Sequence, residues 1–165
     1  MAKQSEDSGG TTANKTGDFL EKYIEFALNE RKYIHVETVR FVPAMYLKQP
    51  IYARKLRLGT NIYGLGSEFD FAIYHPVKHP EGFIIEVKWQ QSTGTVDEKF
   101  PYLVVNIQTK YPYKTMIVLD GGGYRKGAET WLRSQVGNNL THVLNMKEFQ
   151  TWVNKGGLWL GLPSI

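Results

Sequence analysis

Cysteine is absent from this 165-residue chain. Disulfides and cysteine-ligated zinc sites are therefore excluded, and the composition is compatible with a reducing compartment. No apolar run approaches the roughly 20 residues that a membrane-crossing helix needs. The N-terminus lacks the apolar stretch of a secretory signal, so a cytoplasmic location without a membrane partner is expected. The four histidines (His35, His75, His79, His142) form no H-E-x-x-H or similar ligand pattern. His75 and His79 flank a proline-containing loop and read as structural. The glycines at 121–123 and 127 lack the lysine-serine ending of a P-loop and the downstream acid of a dinucleotide site. They read as a flexible turn, with Arg125 and Lys126 beside it.

What is present is an ordinary globular composition, 42% hydrophobic and 13% aromatic, long enough for one domain with a real core. The net charge of +4 is unevenly placed. Residues 31–58 hold Arg31, Lys32, Arg40, Lys48, Arg54, Lys55 and Arg57 against only Glu37, a local excess of +6. A concentrated basic segment is a candidate contact for a phosphate backbone, or else a solvated surface loop. Tyr46, Tyr52 and Tyr63 flank it, and can stack on bases or pack the loop onto the domain.

Residues 1–14 are polar and rich in Ser, Gly and Thr, and read as a flexible tail; 15–165 read as a single domain. Phe19, Leu20, Tyr23, Ile24, Ala27 and Leu28 recur at helical spacing, predicting a helix over Thr16–Arg31 with Thr16 as its N-cap. Tyr33–Val42 alternates like a strand, and a basic loop follows, with Pro43 and Pro50 as breakers. Strands are predicted at 67–75 and 82–90, joined by a turn-rich loop, with a possible extra strand near 60–65. A helix follows within 95–110. Thr95 and Glu98 have capping-box spacing, and Pro101 either kinks the helix or places its start near Phe100. Lys114–Leu119 is a short buried strand, 124–136 a helix, 141–144 a strand and 146–154 a helix. Trp152, Trp159 and Leu160 form an apolar segment that covers the core or a second subunit. The order implies a single α/β domain with a mixed sheet.

The chemistry sits on the two central strands. In Ser67-Glu68-Phe69-Asp70-Phe71-Ala72-Ile73-Tyr74 an acid interrupts an apolar run. In Gly82-Phe83-Ile84-Ile85-Glu86-Val87-Lys88-Trp89-Gln90, alternation puts Glu86, Lys88 and Gln90 on one face with Ile84, and Phe83, Ile85, Val87 and Trp89 on the other. Ions in a sheet interior are costly unless they are paired or bind a metal. Two carboxylates and a lysine on neighbouring strands suit phosphodiester hydrolysis. Hard carboxylate oxygens suit Mg2+, which activates water and offsets phosphate charge, while the lysine orients the attacking water. Asp70 and Glu86 are the expected metal ligands, with the Val87 carbonyl as another, and Lys88 beside the water. Taken alone, Glu-x-Lys reads as an ordinary surface ion pair; Asp70 upstream, the apolar opposite face and the acid on the first helix turn the reading toward a site.

With these residues the chain resembles the PD-(D/E)XK nucleases, the superfamily of many restriction endonucleases, some homing endonucleases and junction resolvases. Asp70 matches the first motif acid, Glu86 the second and Lys88 the lysine; Gln90 matches a glutamine that follows the lysine in some branches. The resemblance implies a further acid on the preceding helix, here Glu21. It covers about residues 16–120. Phe69 stands where the motif often has proline, and Glu68, two residues before Asp70, is a peripheral acid. The resemblance implies a restriction-endonuclease-like core, a central mixed β-sheet flanked by helices. It implies a Mg2+-dependent DNA endonuclease, with Mn2+ substituting, that leaves 5′-phosphates.

The expected catalytic set is Asp70, Glu86, Lys88, Glu21 and Gln90. The expected metal set is Asp70, Glu86 and Val87. Lys48, Arg54, Lys55 and Arg57 are the expected DNA contacts. Double-stranded DNA is the expected partner, and a homodimer or higher oligomer is expected because one site cuts one strand of two. The basic segment favours a site-specific restriction or homing enzyme. A structure-selective nuclease such as a Holliday-junction resolvase, or a non-catalytic DNA-binding module with the same fold, is the alternative.

Overall fold

A computed structural model of the chain describes residues 9–159, with the side chains of residues 17–159. Helix α1 (Gly9–Glu30) buries Leu20, Ile24, Ala27 and Leu28, the stripe expected from the sequence. It runs through Thr16 instead of starting there. Once a helix is nucleated each added residue brings one hydrogen bond, so weak helix formers can extend it. The expected tail is therefore helical from Gly9, and residues 1–8 lie outside the described residues. The helix closes with Lys32 in the left-handed region (φ 65°) and Tyr33 N–H returning to the Leu28 carbonyl.

The predicted strand at 33–42 shrinks to β1 (Ile34–His35). The chain then makes three short helical turns, Thr38–Arg40, α2 (Phe41–Ala44) and Met45–Leu47. Pro43 cannot donate to a strand ladder, and Phe41 buries completely. The predicted basic loop gives way in its second half to β2 (Ile51–Thr60), a ten-residue strand. Ile51, Tyr52, Ala53 and Leu56 are all buried there, and their burial outweighs the charges between them.

Strands β3 (Gly66–His75) and β4 (His79–Trp89) form the expected hairpin. A 3-10 turn at Asp97–Lys99 leads into α3 (Phe100–Thr109), with Pro101 in its first turn where no N–H is needed. The capping box does not form. Asp97 instead accepts from Arg125 Nε and Nη2 at 2.9 and 2.8 Å. Strand β5 (Lys114–Asp120), α4 (Lys126–Ser134), β6 (Leu140–Leu144) and α5 (Met146–Asn154) follow. Asn145 caps α5, accepting from Glu148 N–H at 2.8 Å.

The six strands lie in sequence order in one mixed sheet. β1–β2 is parallel, β2–β3 and β3–β4 are antiparallel, and β4–β5 and β5–β6 are parallel. One face carries Tyr52, Phe71, Ile73, Phe83, Ile85, Met116 and Val118 against α1 and α5. The opposite face carries Ile117 and Leu119 against α3 and α4, and Ala72, Tyr74 and Ile84 beside Phe41. Both faces are covered, so a polar group on β3 or β4 is held in a dry environment except near the strand ends. Trp152 stacks on Phe83 and the Trp159 ring lies 5.9 Å from His75, so this segment covers the core. Leu160 lies outside the described residues. Among the described residues, no helix is long and apolar enough to cross a membrane.

Candidate active site

The last matched pair of the β3–β4 hairpin toward its open end is Phe71 with Ile85. Asp70 and Glu86 lie one step further. There the Val87 N–H, free of β3, donates to Asp70 Oδ2 at 2.8 Å. In an extended strand the N–H and C=O of one residue point to the same edge, so the Val87 carbonyl faces the same space. Lys88 Nζ lies 3.5 Å from Glu86 Oε2 and 3.8 Å from Asp70 Oδ2. The side chains of Asp70 and Glu86 are only 16% and 4% exposed, against 29% for Lys88. The three central residues of the sequence reading are thus brought together on one face of the sheet.

Burial dominates the electrostatics. It pushes the Glu86 carboxyl up to about 7, Lys88 opposing it and the Asp70 charge adding to it. Burial also raises Asp70, but Lys88, the contact with Glu86, Lys55 and the Val87 N–H outweigh it and hold Asp70 below its usual range. For Lys88 burial favours the neutral amine, and the Glu86 and Asp70 carboxylates overcome it, so the ammonium is held. Tyr111, in the turn after α3, donates its hydroxyl to Glu86 Oε1 at 2.6 Å.

Glu21 is not among the direct neighbours of Glu86. It meets the site through β2: Arg54 Nη2 lies 2.6 Å from Glu21 Oε2, and Lys55 Nζ lies 3.1 Å from Glu21 Oε1 and 2.6 Å from Asp70 Oδ1. Arg54 also pairs with Glu25 at 3.0 Å and sits over the Phe71 ring. Consecutive strand residues normally point to opposite faces. Lys55 has φ 53°, inside the left-handed region. That conformation costs a lysine about 1–2 kcal/mol and re-aims its side chain, so Arg54 and Lys55 converge on one carboxylate.

Gln90 is buried, and both ends of its amide are engaged: Nε2 donates to the Gly123 carbonyl at 2.9 Å and Oε1 accepts from Val96 N–H at 3.1 Å. It pins the loops that follow β4 and β5 and makes no contact with the carboxylates. The glycine turn is not loose either. Gly123 N–H donates to the Gln90 carbonyl, and a Cβ at residue 123 would come within 2.7 Å of Ser92 backbone atoms.

The four residues expected to contact DNA do not form one free surface. Arg54 and Lys55, the latter with a side chain 45% exposed, are committed to Glu21, Glu25 and Asp70. Arg57 is exposed but paired with Glu68 at 2.9 Å, and Lys48 stands apart on the turn before β2. Glu68 faces Arg57, away from the Asp70 cluster.

Among the described residues there is no group of three or more His, Cys, Asp or Glu side chains placed to share a cation. The donor set is two carboxylates, Asp70 and Glu86, with the Val87 carbonyl. These hard oxygens fit Mg2+, which keeps several of its waters and is commonly held by one or two carboxylates. Glu86 fits as well, since a buried carboxylate of raised proton affinity gains most from a cation.

Two neighbours were not legible in the sequence. Tyr111 stands 25 residues from Glu86 in a Tyr-Pro-Tyr turn with no motif signal. Asn106, buried on α3, accepts from Ile62 N–H at 2.9 Å and donates to the Tyr102 carbonyl at 3.0 Å, fixing the β2–β3 hairpin to α3. A buried amide on a helix face was the only hint. A 300 Å³ cleft lined by Lys88, Lys99, Phe100 and Leu103 adjoins the site. Leu103 also lines a second hollow, of about 150 Å³, with Glu68, Tyr102 and Tyr111.

A family model described as a PD-(D/E)XK nuclease superfamily domain matches residues 12–157. No curated protein and no solved structure matches the chain significantly.

Proposed function

The chain belongs to the PD-(D/E)XK nuclease superfamily, and we propose that it is a Mg2+-dependent DNA endonuclease hydrolysing phosphodiester bonds. The observation that carries this reading is the convergence of Asp70, Glu86 and Lys88, within 3.8 Å of one another through Lys88, at the open end of a buried hairpin. A bound Mg2+ would supply an activated water and offset charge on the phosphate. Asp70, Glu86 and the Val87 carbonyl would hold it. The Lys88 ammonium, kept charged by two carboxylates, acts as a donor: it orients the attacking water and pairs with a phosphate oxygen. Tyr111 fixes the Glu86 carboxylate, and Gln90 fixes the loops around the cleft. The cleft beside Lys88 leaves room for the strand to be cut, with Lys99 at its wall. The products carry 5′-phosphates, and two copies of the chain serve the two strands of a duplex.

The basic segment gives less support to sequence-specific reading than its composition suggests, because Arg54 and Lys55 are paired with carboxylates of the chain itself. One observation favours the structure-selective alternative. The β2–β3 hairpin tip beside the second hollow exposes Tyr63 and Leu65, and Tyr63 stacks on Tyr102 at 5.5 Å. Aromatic faces held beside a nuclease cleft suit bases that have left the duplex.

The test is cleavage of plasmid, linear duplex and four-way-junction DNA with Mg2+, followed by sequencing of the cut ends. Lys88→Ala should keep the fold and DNA binding and lose cutting by at least 100-fold. Full cleavage by purified Lys88→Ala protein would refute the proposal. Cuts fixed by junction geometry would select the structure-selective reading, and cuts fixed by sequence the restriction or homing reading.

A further inference from the structure

The position of Lys55 is unexplained by a lysine that merely contacts DNA. Its ammonium bridges Glu21 Oε1 and Asp70 Oδ1, and its backbone adopts a left-handed conformation in mid-strand to bring it there. In two-metal hydrolases the second divalent ion sits about 3.5–4 Å from the first and shares a carboxylate with it. Here the shared carboxylate is Asp70. Its Oδ2 side faces Val87 and Lys88, and its Oδ1 side faces Lys55. Glu86 is not a partner of Lys55, so the Asp70–Glu86–Val87 donor set and the Glu21–Asp70 gap are separate places.

We infer that the Lys55 ammonium stands permanently where a second divalent cation would bind, so that the site works with one metal ion. This rests on the metal-dependent reading above. Charge supports it. Glu21, Glu25, Asp70 and Glu86 face Arg54, Lys55 and Lys88, a net charge of −1 when all are ionised. One divalent cation and one phosphodiester bring that to zero, and a second cation would leave the site at +2. The neighbouring Arg54 reinforces the arrangement by holding the other Glu21 oxygen, which fixes Glu21 toward Lys55.

The experiment counts ions. Isothermal titration and electron paramagnetic resonance with Mn2+, without DNA, should give one bound ion per chain for the wild type. Lys55→Met should bind two, and Lys55→Met with Glu21→Gln should return to one. Lys55→Arg, which keeps the charge, should bind one. Thermal melting checks that each variant folds. With DNA, cleavage by the wild type should rise with the first power of Mn2+ concentration below saturation, and by Lys55→Met with the second power. Two ions per wild-type chain would overturn the inference whatever the variants do, as would a single ion in folded Lys55→Met. No ion bound by any of the proteins would overturn the metal-dependent reading itself and this inference with it.

Discussion

Replacing Glu86 by Gln should stabilise the metal-free protein while abolishing its metal binding. Glu86 is almost fully buried, and burial lifts its carboxyl from an unfolded value of 4.5 to about 7. For an acid whose folded-state value is raised, the associated stability is present below pH 4.5 and is lost as pH rises through 7. At about 1.36 kcal/mol per pH unit, that loss amounts to roughly 3 kcal/mol by pH 8.5. Glutamine resembles the protonated acid. Its carbonyl can still accept from Tyr111, and its NH2 can donate to Asp70, the carboxylate that Glu86 already contacts. The attraction of Lys88 for the ionised carboxylate is already contained in the value of about 7 and offsets nothing further. The net expectation is ~3 kcal/mol in favour of Glu86→Gln at pH 8.5, falling toward zero near pH 4.5. For a chain of this length that is a rise in Tm of about 6–12 °C. The assay is thermal or urea unfolding of both proteins in EDTA from pH 4.5 to 8.5, read as a difference so that titrating groups that do not contact Glu86 cancel. Adding Mg2+ should then raise the Tm of the wild type and leave Glu86→Gln unmoved. A difference that does not change with pH, or a Glu86→Gln protein less stable than wild type at pH 8.5, would refute the reasoning.

His79 predicts the opposite pH slope. Burial among Phe83 and Trp152 lowers it to about 4, against the hydrogen bond to the Gly157 carbonyl that favours the charged ring. A histidine so depressed contributes stability that is complete above pH 6.5 and is lost as pH falls toward 4, roughly 3 kcal/mol in all. The difference between wild type and His79→Gln should therefore be flat above pH 6.5 and slope below it; parallel curves down to pH 4.5 would contradict this. Asn106→Ala should cost about 1 kcal/mol, because it removes the buried amide whose oxygen accepts from the Ile62 N–H and so loosens the hairpin from α3. Amide exchange at Ile62 should quicken before the core does, and unchanged protection there would count against the anchoring role.

The sequence by itself determined the helical stripe of α1, the β3–β4 hairpin, and the placement of Glu86 and Lys88 on one face. Each of these depends on local periodicity, and periods of 3.6 and 2 survive in the chain whatever it packs against. It also supplied the pairing of Asp70 with that motif, because an acid inside the apolar run 69–74 is costly wherever the strand lies. Residues 33–60 depart from their local pattern for a physical reason. Apolar alternation over 33–42 fits a strand until Pro43 and the burial of Phe41 select helical turns. The charges of Arg54, Lys55 and Arg57 conceal a strand whose Ile51, Tyr52, Ala53 and Leu56 reach the core. Only the tertiary structure decided what those charges face. The sum of +6 over residues 31–58 suggests a surface for DNA, whereas sheet register sets Lys55 opposite Asp70 and α1 brings Glu21 to Lys55 from the other side. Composition counts charges; the pairing of strands and the left-handed backbone of Lys55 determine which carboxylate each cation meets.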